Sequence, residues 1–208
     1  MSNLPSIIKS VEKARIVAAT KYVGVCKMKE LLTYNIYDFG ENRVDSFLEK
    51  YELLKDNSNI VWHFIGSLQT NKVKKMINKI DYLHSLNSIK LASFIDKYRT
   101  SPLKCFLEIN LTGSVTKTGI NLSEVENTLE EIKKYPNVNV IGLMTMTENF
   151  MNDIEKEQIF IQLANLRNKL NDLGYINITE LSMGMSDDYL LAVKSGATFV
   201  RLGRILFS

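Results

Sequence analysis

Residues Ile178–Ser208 read ITELSMGMSDDYLLAVKSGATFVRLGRILFS, and this stretch says most about the fold. Two short apolar segments each run into a glycine, Gly184 in the first and Gly203 in the second, and one short helical pattern separates them. Barrels of alternating strands and helices frequently bind phosphate with the loops after their last two strands. We therefore expect backbone N–H groups near these glycines, with the hydroxyls of Ser182 and Ser186, to bind a doubly charged anion.

The rest of the chain alternates in the same way, with eight short β-like runs separated by helical patterns. Several of these runs are continuously apolar, as in strands that helices cover on both faces. The predicted strands are Ile16–Thr20, Ile36–Phe39, Val61–Ile65, Tyr82–Ser85, Leu103–Asn110, Val138–Met144, Ile178–Ser182 and Thr198–Leu202, and the clearest helices are Glu41–Leu54, Leu68–Ile77, Ile89–Tyr98, Leu122–Tyr135 and Ile154–Leu173.

This alternation predicts an α/β fold, a closed (β/α)8 barrel that occupies residues 1–208 as one domain. A doubly wound open sheet has the same alternation, and counting strands does not exclude it. Two helix ends carry further signals. Ser123 and Glu126 have the spacing of a capping box, and Gly174 fits a helix C-cap.

Composition excludes several classes of protein. The 208 residues are 45% hydrophobic and 24% charged, which is ordinary for a globular domain, and the net charge of +3 gives nucleic-acid binding little support. The two cysteines, Cys26 and Cys105, have neither disulfide-framework nor metal-ligand spacing. No apolar run approaches the roughly 20 residues that cross a bilayer, and the first residues lack a signal peptide. We expect a cytoplasmic protein.

Lys21 ends a buried apolar run, IVAATK, and so lies at the mouth of the predicted barrel. Partial desolvation lowers the pKa of a lysine, and a neutral amine is the form that attacks an aldehyde. With a phosphate site at other strand ends, the position suggests that Lys21 holds a phosphorylated aldehyde as a Schiff base. A lysine that merely reaches solvent fits the same position.

The polar residues Glu41 and Asn42 follow the second predicted strand. Glu41 is explained by the favourable charge of an acidic residue at a helix N-terminus, and Asn42 could donate to a phenolic oxygen. His63 lies between two aromatic residues and is interpreted as a hydrogen-bonded core residue. His84 is interpreted as isolated. Because the two histidines do not have the spacing of metal ligands, the sequence does not predict a metal site.

The last strand carries Arg201, which could bind phosphate, face a heterocyclic nitrogen, or simply pair with a carboxylate. Because arginine stays protonated, it would leave a facing pyridine nitrogen without a proton. Asp187 and Asp188 fit the start of a helix, and since carboxylates repel phosphate we expect both to point outward.

Seven segments occur in order from about Ala18 to Phe207: AATKYV, FGENRV, WHFIGSLQTNK, EINLTGSVTKTG, IGLMTM, LSMGMSDD and FVRLGRILF. Together they resemble the pyridoxal phosphate homeostasis protein family, also called the proline synthetase co-transcribed homologue family. The resemblance implies a fold-type III barrel like the N-terminal domain of alanine racemase, with pyridoxal 5′-phosphate as cofactor.

The resemblance also implies roles for individual residues. Lys21 would carry the cofactor as a Schiff base and Arg201 would face its pyridine nitrogen. Ser182, with the backbone at Gly203 and Arg204, would bind the phosphate, and Asn42 would lie near the ring. Many members of the family have Thr or Ser at the position of Arg204, so its backbone or guanidinium would replace a hydroxyl contact.

The function implied is to hold and deliver the cofactor within the cell, which affects amino-acid and keto-acid balance indirectly. Apo-enzymes that need pyridoxal phosphate are the expected recipients, and neither nucleic acid nor membrane is an expected partner. An amino-acid racemase or related isomerase is the alternative, but it needs an acid/base group on each face of the substrate. The chain ends soon after its eighth strand, so we expect no second domain to supply one, no robust catalysis, and a monomer. A barrel that binds another phosphorylated metabolite without an imine is the third possibility.

Overall fold

A computed structural model describes residues 3–11, 13–113 and 118–208, and residues 114–117 of the EINLTGSVTKTG segment lie outside it. Within the described residues the strands are β1 (Arg15–Ala19), β2 (Asp38–Glu41), β3 (Val61–Phe64), β4 (Tyr82–Leu86), β5 (Leu103–Asn110), β6 (Ile120–Asn121), β7 (Val138–Met144), β8 (Glu180–Ser182) and β9 (Phe199–Leu202). The α-helices are α1 (Leu4–Ser10), α2 (Val25–Leu32), α3 (Val44–Leu54), α4 (Thr70–Met76), α5 (Ile89–Tyr98), α6 (Val125–Ile132), α7 (Asp153–Asp172), α8 (Tyr189–Lys194) and α9 (Arg204–Phe207). None of these helices combines the length and the apolar composition needed to cross a bilayer.

Eight of the strands form a closed parallel barrel in the ring order β1, β2, β3, β4, β5, β7, β8 and β9. β1 pairs with its neighbours on both sides, since Ala18 lies opposite Phe39 of β2 and Leu202 of β9. The two-residue β6 pairs only with β5, beside the ring. The closed ring confirms the predicted (β/α)8 barrel and rules out the doubly wound open sheet.

The helices pack their apolar faces on the outside of the barrel. In α3, for example, Val44, Phe47 and Leu54 are buried, and the Phe47 ring meets the edge of Trp62 in β3 at 5.4 Å between centroids. A second apolar cluster fills the interior of the ring and includes Val17, Tyr82, Phe106, Met144 and Phe199. The strands are therefore covered on both faces, which explains why their sequences read as continuous apolar runs.

All eight predicted barrel strands are present; five of them differ from the prediction by one or two residues at their ends, and the second is shifted by two residues at both ends. β2 spans Asp38–Glu41 rather than Ile36–Phe39, so Gly40 and Glu41 belong to the strand and not to a turn. The predicted C-cap is confirmed: Gly174 has φ +96° and its N–H donates to the carbonyl of Asn171 at 2.9 Å.

The capping box predicted at Ser123 and Glu126 is wrong. Ser123 lies inside a 3₁₀ turn, Leu122–Glu124, that precedes α6, so it lacks the extended backbone of an N-cap residue. The capping box is found at the start of α7 instead, where Asn152 and Glu155 exchange side chain-to-backbone hydrogen bonds. Both pairs have the same spacing, and the backbone before the helix decides which of them caps.

Gly142 of β7 lies where β8 approaches its backbone, and we expect Gly142→Ala to destabilise the barrel. A Cβ at this position would lie 2.2 Å from the carbonyl oxygen of Glu180, its partner across the two strands. The strands would have to separate, at a cost of about 3 kcal/mol in the free energy of unfolding. Urea unfolding measures this cost. Gly24→Ala is the control, because no atom lies within 4 Å of its Cβ; equal midpoints for the two variants would contradict the proposed strand contact.

Candidate functional site

A cavity of about 650 Å³ opens at the carboxyl ends of the barrel strands. Five of the six residues predicted to bind a cofactor line it: Lys21, Asn42, Arg201, Gly203 and Arg204. They come from the loops and strand ends of β1, β2 and β9, which are neighbours in the ring. Barrel enzymes place their active sites at this end, so the cavity is the candidate functional site.

Lys21 follows the end of β1 by two residues and is solvent-exposed, with its Nζ 4.8 Å from the centre of the Tyr22 ring. The residue before it is held firmly. The Thr20 backbone N–H donates to the carbonyl of Gly40 in β2 at 3.0 Å, and the Thr20 carbonyl accepts from Lys50 Nζ at 2.7 Å. Thr20 is therefore held through both its N–H and its carbonyl, so the backbone just before Lys21 has a fixed position.

Glu41 completes this support, and its predicted role at a helix N-terminus is wrong. It ends β2 and is fully buried, with Oε1 only 2.6 Å from Lys50 Nζ and in contact with the Thr20 hydroxyl. Ser46 donates to its other oxygen at 3.3 Å. A buried carboxylate needs such partners because removing it from water is costly. Glu41, Lys50 and Thr20 together tie β1, β2 and α3 below Lys21.

Asn42 reaches the cavity because the loop after β3 packs directly on its backbone. A Cβ at Gly66 would lie 2.3 Å from the carbonyl oxygen of Asn42, so a larger residue would displace one loop from the other. Both residues line the cavity. Gly66 therefore sets how closely the second and third loops of the mouth approach.

Arg201 is nearly buried, with 5% of its surface exposed, and it points from β9 toward the cavity. Its NH1 donates to the carbonyl of Ser182 at 2.8 Å and to the Ser182 hydroxyl at 2.5 Å, and its NH2 donates to the carbonyl of Thr145 at 3.0 Å. Within the described residues no carboxylate forms an ion pair with it, so it is not the charge-paired arginine that the sequence also allowed.

The charge of Arg201 survives this burial. Desolvation lowers the pKa of the guanidinium to about 10, while the negative charges of Asp188 and Glu108 act in the opposite direction. The group therefore remains protonated at neutral pH. Three neutral oxygens accept from two of its nitrogens, and among the residues that the structure describes no acceptor is found for its Nε–H or for the second N–H of NH2.

Ser182, predicted to bind phosphate, is not brought to the cavity. It is fully buried beneath Arg201, and its Oγ lies 2.7 Å from Nδ1 of His84. The hydroxyl nearer to the cavity belongs to Ser186, which lines it and accepts from the backbone N–H of Gly203 at 3.2 Å. The geometry thus favours Ser186 over Ser182 for contact with an anion.

The two aspartates after Ser186 differ, and the prediction that both point outward is wrong for the second. Asp187 is exposed and forms an ion pair with Arg204 at 2.5 Å at the rim of the cavity. Asp188 is buried; it accepts from the backbone N–H of Met185 and from the Thr147 hydroxyl, both at 2.6 Å. Its bonds hold the loop after β8 in the shape that presents Ser186 to the cavity.

His63 is a buried, hydrogen-bonded core residue, as predicted, but His84 is not isolated from it. Nδ1 of His63 lies 2.9 Å from Nε2 of His84, because the two residues stand on the neighbouring strands β3 and β4. Lys50 was not among the predicted site residues, and its only signal in the sequence is the charged Glu41 at the end of an apolar strand. A charged residue inside an apolar strand requires a buried partner, but no spacing rule identifies it.

Comparison with known proteins places the chain among pyridoxal phosphate proteins. The family model for the alanine racemase N-terminal domain matches residues 2–208. The pyridoxal phosphate homeostasis protein of Aquifex aeolicus is 38% identical over 93% of this chain and 86% of its own length, and that of Synechocystis is 35% identical over 93% and 90%.

Solved structures agree with this assignment. The structure of PipY from Synechococcus elongatus with pyridoxal phosphate bound has a TM-score of 0.92 and 29% identity, and the match covers 100% of this chain and 99% of PipY. Alanine racemase from Corynebacterium glutamicum shares the fold, with a TM-score of 0.78 at 15% identity over 99% of this chain and 60% of the racemase.

We expect Lys50→Met to destabilise the protein by about 3–5 kcal/mol, because it leaves the Glu41 carboxylate buried without its cation. Lys55→Met is the matched control, since its ion pair with Glu52 is exposed to solvent and contributes little to stability. Urea unfolding of the two variants gives the comparison. Equal losses would mean that the Glu41 pair contributes no more than a surface pair, and adding Glu41→Gln to Lys50→Met should recover much of the loss.

Proposed function

Because the chain belongs to the pyridoxal phosphate homeostasis protein family, we propose that it binds pyridoxal 5′-phosphate as a Schiff base on Lys21 and takes part in the intracellular homeostasis of that cofactor. The observation that carries the proposal is the convergence of Lys21 and the buried Arg201 on one cavity of about 650 Å³. The cofactor-bound structure of PipY, which this chain matches along its whole length, supports the same ligand.

The residues around the cavity fit the polar groups of this cofactor. A pyridine nitrogen is a hydrogen-bond acceptor, and Arg201 offers N–H groups that its protein partners do not use. A phosphate dianion suits the guanidinium of Arg204, the Ser186 hydroxyl and the backbone at Gly203. The ion pair between Arg204 and Asp187 does not block this role, because exposed ion pairs contribute at most about 1 kcal/mol. Asn42 is assigned a position beside the ring.

Pyridoxal phosphate supplies an aldehyde and an electron-withdrawing ring when it is bound. The deprotonated Nζ of Lys21 would attack the aldehyde carbon and form an imine with the loss of one water. The Glu41–Lys50 ion pair keeps the backbone at Thr20 in place, so the amine is presented from a fixed anchor although its own side chain is exposed. We assign Lys21 the role of reversible attachment and Arg204 with Ser186 that of retaining the phosphate.

Arg201 makes the site better suited to holding the cofactor than to catalysis. Its guanidinium keeps its protons at neutral pH, so a facing ring nitrogen accepts a hydrogen bond and stays unprotonated. An unprotonated pyridine is a weak electron sink, which disfavours chemistry that passes through a carbanion. The relatives are named as homeostasis proteins, which supports a carrier whose effects on amino-acid and keto-acid pools are indirect. Apo-enzymes that require the cofactor are the recipients we propose.

Reduction with borohydride tests the attachment. We expect the reconstituted protein to absorb in the visible and, after reduction, to carry a pyridoxyl group on the peptide that contains Lys21. Lys21→Ala should lose both signals, whereas Lys27→Ala, which removes an exposed lysine of α2, should keep them. Phosphate binding without a visible band would favour the non-imine alternative, and a label on another lysine would overturn the assignment of Lys21.

Amino-acid racemase activity is the catalytic alternative, and we expect none above background. Two-base racemisation needs a proton-transfer group on each face of the substrate Cα. The reconstituted protein should be assayed with several L- and D-amino acids in parallel with Lys21→Ala. Turnover by the wild type that disappears in the variant would establish an enzyme instead of a carrier.

A further inference from the structure

A line of hydrogen-bonded side chains crosses the barrel interior from the cavity toward the amino-terminal ends of the strands. Arg201 NH1 donates to Ser182 Oγ at 2.5 Å, and that oxygen lies 2.7 Å from His84 Nδ1. His84 Nε2 lies 2.9 Å from His63 Nδ1, and His63 Nε2 lies 2.8 Å from Asp38 Oδ1. We call these five residues the histidine line. Each stands on a different strand of the barrel.

Aromatic rings hold the two imidazoles in place. His63 stacks on Tyr82 with centroids 4.5 Å apart and planes 6° apart, and His84 stacks on Phe106 at 4.4 Å and 27°. Both histidines and Ser182 are fully buried. At the far end Asp38 also accepts from Arg15, which is partly exposed. The line is therefore a fixed polar connection through an otherwise apolar interior.

Burial, more than the surrounding charges, keeps both histidines neutral at pH 7. Burial lowers the pKa of His63 and lowers that of His84 further. Arg15 adds to the lowering at both rings, and Arg201 and the neighbouring His63 add to it at His84. Asp38 and Asp81 act in the opposite direction at His63 but do not reverse the shift.

The two ends of the line fix where each proton lies. An arginine guanidinium only donates and a carboxylate only accepts, while a neutral imidazole carries one proton. His63 must donate from Nε2 to Asp38, so its Nδ1 accepts. His84 must then donate from Nε2 to His63 and accept at Nδ1, and the proton it accepts is that of the Ser182 hydroxyl. The Ser182 hydroxyl has one proton and donates it to His84. Toward Arg201 its oxygen can therefore only accept.

We propose that His63 and His84 are positioning residues that hold the Ser182 hydroxyl as a fixed acceptor and thereby orient the Arg201 guanidinium toward the cavity. The inference rests on the proposed function, because the guanidinium so oriented is the one assigned to the ring nitrogen of the cofactor. One other proton arrangement satisfies the geometry, with His63 as an imidazolium between Asp38 and His84. In that arrangement His84 donates to Ser182, and the hydroxyl no longer has a fixed direction.

Nitrogen NMR of the cofactor-free protein separates the two arrangements. His63 and His84 are the only two histidines of the chain, so a protein without a histidine tag gives two imidazole spin systems. We expect both in long-range ¹H–¹⁵N spectra as neutral Nε2–H tautomers at pH 7, with the pKa of His63 below the ordinary histidine value of about 6.5 and the pKa of His84 well below it. An Nδ1–H tautomer on either ring, or an imidazolium at pH 7, would overturn the proposal.

Variants at His84 test the consequence for Arg201. His84→Leu removes the acceptor of the Ser182 hydroxyl, and we expect the dissociation constant of pyridoxal phosphate, measured by absorbance titration, to rise about tenfold. His84→Asn offers an amide oxygen near the position of Nδ1 and should recover most of the affinity. Tyr82→Phe is the control, since it keeps the ring that stacks on His63 and removes only a hydroxyl outside the line, which accepts from Arg15 NH1 and Lys104, while Arg15 keeps its contact with Asp38 through NH2. Wild-type affinity in His84→Leu, or failure of His84→Asn to restore it, would overturn the positioning role.

The two experiments also separate this inference from the proposed function. If the wild-type protein takes up no pyridoxal phosphate, the proposed function fails, while the tautomers in the cofactor-free protein still decide the proton order. If the wild type binds the cofactor and His84→Leu binds it equally well, only the positioning role fails. Should His84→Leu not fold, the wild-type spectra and His84→Asn remain as tests.

Discussion

The pairing of the first and last barrel strands is the constraint on which the candidate site depends. Val17 of β1 lies opposite Arg201 of β9, although they are 184 positions apart along the chain, and the loop after β1 then carries Lys21 over the same cavity. Without this closure the amine and the guanidinium would belong to opposite edges of a sheet. Ring closure therefore buries apolar surface and also brings the Lys21 amine and the Arg201 guanidinium, which are distant in sequence, to one cavity.

Three of the charged groups buried near the cavity, Glu41, Asp188 and Arg201, have different means of support. Glu41 is balanced by a cation from α3, and Asp188 accepts from a backbone amide and a hydroxyl. Arg201 donates to neutral oxygens and keeps its charge. A buried charge is tolerated only where its hydrogen bonds are satisfied. The polar groups of the mouth are thus held in fixed orientations before any ligand arrives, which reduces the ordering required on binding.

The sequence predicted the barrel well because its signal is local and repeated. Each strand is a short apolar run, and five of the six predicted cofactor residues do line one cavity. It failed where the deciding partner is distant in sequence. Glu41 looked like the start of a helix until α3 was found to supply Lys50, and His84 looked isolated because its neighbour His63 is 21 positions away on the adjacent strand. Ser182 and Ser186 are both near glycines, and only the strand register distinguishes the buried hydroxyl from the accessible one.

The ion pair between Arg204 and Asp187 changes how a charged ligand would meet the mouth of the barrel. Arg204 is already paired with Asp187 at the rim, so a dianion that binds Arg204 would replace Asp187 as its negative partner. Dissolved salt weakens the attraction of Arg204 to Asp187, which is lost on binding, and also its attraction to the ligand, which is gained. The two effects of ionic strength on ligand binding therefore oppose each other. Arg204 and Asp187 thus neutralise each other, and the charge that attracts an anionic ligand over distance must come from groups outside this ion pair.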